Sequence, residues 1–535
     1  MKKLKINAFY FLGMVFTLNS CTKDLDVLPK GDKLFLAEDF YAQPGAYKQG
    51  LAGVYGNLSL TGTDGAGSSF LEGIDAGTSQ FGRCLWYLQD LTTDEVIWSY
   101  EADPGTKELQ RNIWTAANPI LLGMFSRTMA EVSFANEYLK QTSPEKLSSR
   151  GVTNPVLLSD IALYRKEARV LRAYAYYNLM DLFGKAAFVT ETDPLNTKGP
   201  QYNRTQLFNF IESELLAVLP DLKAPRTNEY GRLDQGMARM ILAKIYLNAE
   251  VYTGTNRYAD CATQCSAIIG GGYTLNPIYL NNFKADNNTS NEIIFTLQSD
   301  GNFTQNYGPT TVFCNGSVGS IEQNGIALGV SAGGWGGALR LRKEFVDIFS
   351  NNTSFTSDTR NRIFAGTRSP IITDVTNKDQ GYILKKFSNI TSTGVAGSNN
   401  TFVDTDFPLF RLADVYLMYA ECATRGGASI ATAQTYINAI RTRANSGNTS
   451  ANVSFSAMNT SDQLSYILDE RARELHWESH RRQDLIRFNK YTNGYNWAWK
   501  GNASNGIPID SNFKLFPIPE NSLRANNNLT QNPGY

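Results

Sequence analysis

The chain has 535 residues, 42% of them hydrophobic and 12% aromatic, with 50 basic side chains against 50 acidic ones. That balance, without a long Lys/Arg tract, argues against nucleic acid as a partner, and the apolar stock is enough for a large folded core. The two histidines, His476 and His480, leave little for multi-histidine metal sites or for Ser-His-Asp and Cys-His catalysis.

Residues 1–20 read as an export signal: Lys2, Lys3 and Lys5 precede an apolar stretch from Ile6 to Leu18 that is too short to anchor in a bilayer. Leu18, Asn19, Ser20 and Cys21 resemble a bacterial lipobox, in which Cys21 carries lipid and starts the mature chain; the alternative is an ordinary signal peptide with an incidental cysteine. Loss of the three lysines leaves a slightly acidic body. Residues 21–34 form a polar tether and 35–535 a single body, with no second run of about 20 apolar residues. Lipid on Cys21 is therefore the expected sole anchor. The remaining cysteines, Cys84, Cys261, Cys265, Cys314 and Cys422, form no dense framework, and Cys261 and Cys265 read as small core side chains one helical turn apart.

Helical periodicity marks 120–140, 164–184, 204–219, 233–250, 255–269, 409–425, 428–443 and 461–490. Tyr164, Ala168, Leu171, Ala175, Leu179 and Leu182 recur at steps of three and four, and Gly184 supplies a stop. Short breaks favour antiparallel pairs, and 409–443 lies close to the tetratricopeptide period. The expected fold class is mainly α: a tetratricopeptide-like scaffold of helical pairs with long irregular loops and minor β-hairpins. The loops are 58–118, 270–335 and 388–406, rich in Gly, Asn, Ser and Thr with rings at intervals; strand pairing is expected near 292–298 and 382–387.

Several motifs in order resemble the SusD/RagB family, the surface nutrient-binding lipoproteins of Bacteroidetes that pair with SusC-like TonB-dependent transporters. They are the lipobox at Cys21, EARVLRAYAYYNLMDLFG at 167–184, FRLADVYLMYAECATR at 410–425, INAIRTRA at 437–444, DERARELHWESHRRQDLIRF at 469–488 and FPIPENSLRANNNLTQNPGY at 516–535. The resemblance implies a helical scaffold docked on the transporter, loops that meet a glycan, and a lipid-anchored place in the outer membrane facing the cell exterior. It implies capture of an oligosaccharide or polysaccharide without catalysis.

Sugar recognition needs flat rings against C–H faces and polar groups for hydroxyls. Trp86, Tyr87, Trp98 and Tyr100 fall in one ring-rich stretch with Asp90, Asp94 and Glu95, and Trp98 resembles the family's stacking position after the TDE segment. Trp335 stands among four glycines that permit close approach. The expected ligand contacts are Trp98, Trp335, Trp86, Tyr87, Tyr100 and Asp94, each weighed against loop packing. Trp497 and Trp499 alternate in TNGYNWAWKG as weaker candidates.

No catalytic residue or cofactor is expected, and a structural calcium ion lacks the twelve-residue loop that would support it. The alternatives are an extracellular glycoside hydrolase, for which Asp90 and Glu95 are the least poor loop carboxylates, and a non-binding structural subunit. Glu474 and Glu478, one turn apart, read as a solvated or ion-paired face. His476 and His480 miss the zincin pattern because the glutamate of HWESH stands in the wrong slot. Arg411, Asp414, Glu421, Arg441 and Arg443 read as an ion network that holds two helices in register.

Overall fold

The computed structural model describes Ala37–Tyr535 apart from residues 44, 72, 73, 78, 195, 352–354 and 356. The export signal, Cys21 and the tether lie outside the described residues. The scaffold is a succession of helices: α1 (Ala46–Ser59), α2 (Phe81–Trp86), α3 (Pro119–Gln141), α4 (Pro155–Phe183), α5 (Arg204–Val218), α6 (Gln235–Leu247), α7 (Tyr258–Ile269), α8 (Leu412–Thr424), α9 (Ile430–Ala444), α10 (Thr460–Leu475) and α11 (Arg481–Arg487), with short helical turns between them. α3 packs on α4, α4 on α5, α6 on α7, α7 on α8, and α8 on both α9 and α10, which is the helical-pair scaffold the periodicity implies.

Local chemistry sets the ends. Asn118 and Asn154 accept first-turn N–H groups ahead of Pro119 and Pro155, whose missing N–H has no intrahelical partner to lose at that position. α4 stops where Gly184 turns left-handed at φ 71°. α5 opens with a reciprocal Asn203–Gln206 capping box. Ala168 and Ala175 are buried on α4, where small side chains let neighbouring helices approach.

The strands are few and short, as expected. β1 (Val96–Trp98), β2 (Lys185–Ala187), β3 (Gln201–Asn203), β4 (Ile293–Leu297), β5 (Leu339–Leu341), β6 (Ile363–Phe364), β7 (Ile383–Leu384) and β8 (Phe407–Arg411) form antiparallel pairs β1–β5, β2–β3, β4–β8 and β6–β7. The β2–β3 and β6–β7 pairs join consecutive strands, whereas β1–β5 and β4–β8 join distant segments, as when Trp98 lies opposite Leu339.

The 58–118 stretch departs from an open loop. It contains α2, a π-helical turn at Tyr87–Leu91 and β1, and residues 79–99 are buried without interruption. A segment buried on all sides has no polar face, so its sequence shows no helical period to read.

The expected helix over 461–490 is two helices, α10 and α11, interrupted at 476–480. Trp477 and Ser479 take left-handed conformations at φ 61° and 64°. Their backbone N–H groups donate to the carboxylates of Glu95 and Asp90, which fix the break.

The charged face of α10 is interior rather than solvated. Glu474 pairs with Arg360, Arg411 and Arg443, and Glu478 with Lys386 and Arg411, all buried. The anticipated network exists with different partners: Asp414 meets Lys244 and Arg471, Glu421 meets Arg425 and Arg487, and Arg441 meets Asp358. His476 and His480 are buried inside it, and His480 Nδ1 lies 3.0 Å from Lys244 Nζ. Cys261 and Cys265 are buried free thiols with sulfurs 4.0 Å apart.

Candidate functional site

An open cavity of about 650 Å³ is lined by Arg83, Trp98, Tyr100, Asp103, Tyr307, Trp335 and the glycines around them. β1 carries Trp98 to its back wall and β5 lies alongside, just after Trp335 in the chain. The Trp98 backbone N–H donates to Gln110 Oε1 at 2.8 Å and the indole N–H donates to Asp103 Oδ2 at 2.8 Å, so the ring has one orientation. Trp98 stands 6.2 Å from both Tyr100 and Trp335, centroid to centroid and edge to face.

Trp335 is held by its backbone. Its N–H donates to Asn315 O at 2.9 Å and its carbonyl accepts the Tyr100 hydroxyl at 2.6 Å. Gly334, Gly336 and Gly337 flank it at φ 41°, 57° and 82°, and a Cβ on Gly334 would come within 2.3 Å of Val318. Only glycine permits that conformation and that approach together. Lys378 Nζ lies 3.0 Å from the Tyr100 hydroxyl and 4.2 Å from its ring centroid. The Arg83 guanidinium lies 5.6 Å from the Trp98 ring and 5.9 Å from the Trp335 ring and also donates to the Tyr87 hydroxyl at 2.9 Å.

Of the six residues expected to meet ligand, the cavity brings together Trp98, Tyr100 and Trp335. Trp98 is only 2% exposed, whereas Tyr100 and Trp335 are half-buried, so these two can offer surface and Trp98 forms the wall behind them. Trp86, Tyr87 and Asp94 are interior. Trp86 packs edge-on against Phe313, and Tyr87 lies beneath Arg83. Asp94 is clamped by Arg481 at 2.6 Å and by the Tyr495 hydroxyl; burial acts to raise its carboxyl, but Arg481 and these bonds outweigh that and hold it below the usual range. Trp497 is buried, and Trp499 sits at φ 71° with its ring 4.3 Å from the Arg111 guanidinium, so the pair does not form an extended face.

The carboxylates weighed for hydrolysis lie elsewhere. Asp90 and Glu95 are enclosed; burial pushes Asp90 up to about 7 and, with the neighbouring Asp90 charge, raises Glu95 well above its ordinary value. Among the described residues, the cavity lining contributes one carboxylate, Asp103, already engaged by Trp98. Among the described residues, no group of three or more His, Cys, Asp or Glu is arranged to hold a metal ion.

Arg83, Asp103, Tyr307 and Lys378 were not among the expected site residues. Arg83 alone had a nearby signal, as the cation preceding CLWY.

The chain is 32% identical to the starch-binding protein SusD of Bacteroides thetaiotaomicron over the full length of both chains. The chain belongs to the SusD family. The SusD family profile matches residues 350–535, which include α8 to α11 and most of their ionic network, Lys244 and Glu292 lying outside it. A SusD homologue from B. thetaiotaomicron superposes with TM-score 0.71 at 20% identity, covering 93% of this chain and 98% of that one. Surface glycan-binding protein A from B. thetaiotaomicron, solved with laminarihexaose, superposes with TM-score 0.68 at 20% identity, covering 91% and 98%. In this SusD-family chain, every described residue that lines the ring cavity lies outside the profile-matched residues 350–535.

Proposed function

We propose that this chain is a lipid-anchored capture protein that holds an oligosaccharide or a stretch of polysaccharide in the ring cavity and passes it to a SusC-like TonB-dependent transporter. The observation that carries this reading is the convergence of Tyr100 and Trp335 around Trp98, with Arg83 and Tyr307 at the same opening. Ring faces receive the apolar C–H side of a pyranose, and the guanidinium and phenol supply hydrogen-bonding groups for its hydroxyls. Starch binding in the full-length relative and laminarihexaose in the structural neighbour support glycan as the ligand class.

Lipid on Cys21 would keep the body on the outer face of the outer membrane and raise the local glycan concentration beside a transporter. Among the described residues, no helix is long and apolar enough to cross a membrane. Capture requires no transition-state selectivity, and the chain is read as non-catalytic. A glycan-binding screen with the wild type and Trp335→Ala tests this reading. The expected result is a defined hit, weakened at least about tenfold by the substitution, with a cooperative thermal melt that shows the fold retained and no hydrolysis products. Hydrolysis of the bound glycan, or a hit indifferent to Trp335→Ala, would overturn it.

A further inference from the structure

A second cleft, of about 210 Å³, opens between the loop leading into α6 and the segment running into β4, and it shares no lining residue with the ring cavity. Tyr230 stands at its edge with 51% of its surface exposed, while its hydroxyl donates to the buried Asp406. The ring is therefore fixed from beneath and open on its outer side. Arg226 forms the facing rim. It is locked at φ 64°, its N–H donates to Asp234 Oδ2, and its guanidinium donates to Gly272 O and Asn291 Oδ1. Holding a non-glycine residue in that conformation costs energy that the surrounding bonds offset, so the rim is preorganised. Asn288 and Asn291 add exposed amides.

We infer that this cleft is a second saccharide site, taking a single neutral pyranose such as a chain end or a short branch. The tyrosine ring provides the platform, and the rim amides and guanidinium supply hydrogen-bonding groups for hydroxyls. Its volume is well below the 650 Å³ of the ring cavity and suits one sugar residue rather than a run of them. Charge selects a neutral ligand. Arg232 is already paired with Glu167 and Glu229, and Glu229 also with Lys48; Asp234 in the wall and Asp406 directly behind Tyr230 then stand against the one Arg226 guanidinium, itself bonded to Gly272 O and Asn291 Oδ1, so an acidic sugar would meet more carboxylate than free cation.

The inference rests on the reading of the chain as a glycan binder, and hydrogen–deuterium exchange separates the two sites. The probes are glucose, galactose and mannose, each as the free sugar and as its linear oligosaccharides, with glucuronic acid as the charged comparison. In the wild type and in Trp335→Ala, a neutral probe is expected to protect 226–234 and 287–296. Tyr230→Ala should weaken that protection at least about tenfold in apparent Kd, with 98–103 and 333–336 still responding to ligand. Because Tyr230 caps a buried carboxylate, Asn288→Trp, which fills the cleft from an exposed position, provides a second variant with the same expected loss. Protection of the second segments that disappears in Trp335→Ala, that persists in both cleft variants, that is stronger with glucuronic acid, or that no neutral probe produces would overturn the inference. Failure of the ring-cavity reading would appear instead as silence at 98–103 and 333–336.

Discussion

Around Glu474 the charges face only one another, whereas around Trp335 the rings face an opening, backed by the largely buried guanidinium of Arg83. In the first region Arg360, Arg411 and Arg443 converge on Glu474, and Lys386 and Arg411 on Glu478, with all of these side chains essentially removed from water. In the second, Arg83 lies among Tyr87, Trp98 and Trp335 with no carboxylate paired to it among the described contacts, and the rings are positioned largely through backbone hydrogen bonds. A dense cluster of charged residues is therefore a poor guide to the working surface of this protein. Where every ion has a buried counter-ion the cluster holds elements together, and where a cation rests on open rings there is room for a ligand.

Removal of one ion should separate the regions most sharply. Glu474→Ala leaves three buried guanidiniums short of a partner, and breaking such a network costs about 3–5 kcal/mol. The expected outcome is a large drop in the midpoint of urea unfolding, with the fraction that remains folded binding glycan as tightly as the wild type. An unchanged midpoint would mean that the network is not what holds α8, α9 and α10 together.

Trp98 tests the boundary between the two regions, because it lines the cavity yet is almost wholly enclosed. Trp98→Ala removes a large buried ring that packs against Tyr87, Tyr100 and Trp335, a change that typically costs about 3–5 kcal/mol. Trp335→Ala, at a half-buried position, should cost less than half as much while abolishing more of the binding. Thermal melts beside titrations of the same glycan check the ordering. If Trp98→Ala melts with the wild type and only binding suffers, Trp98 belongs with the exposed platform rather than with its wall.

The scaffold was legible because its helices are amphipathic and capped: α3 starts one residue before the expected 120 and α4 ends at Gly184 as expected, although α4 begins at Pro155, nine residues ahead of the periodic stretch that starts at 164. The 79–99 segment was not, since burial on every side erases the alternation that periodicity requires, and Trp86 and Tyr87 looked like loop rings for that reason. The break at 476–480 was hidden as well, because it depends on Glu95 and Asp90, which lie nearly 400 positions away in the chain. Trp335 was readable from its glycines, but the arrival of Arg83 and Tyr307 beside it is a product of tertiary packing that no local pattern encodes.

The smallest expected effect concerns how the platform is held. Tyr100→Phe keeps the ring and its edge contact with Trp98 but removes the hydroxyl that donates to Trp335 O and meets Lys378. A hydrogen bond of this kind contributes about 1 kcal/mol net, and because it joins two loop segments rather than two helices, the loss should fall on the placement of Trp335 more than on global stability. The measurable consequence is glycan binding weakened about fivefold with a melting temperature close to the wild type. Lys378 would still lie over the ring, so a variant that binds as tightly as the wild type would assign the positioning of Trp335 to the glycine-rich backbone and the Asn315 carbonyl alone.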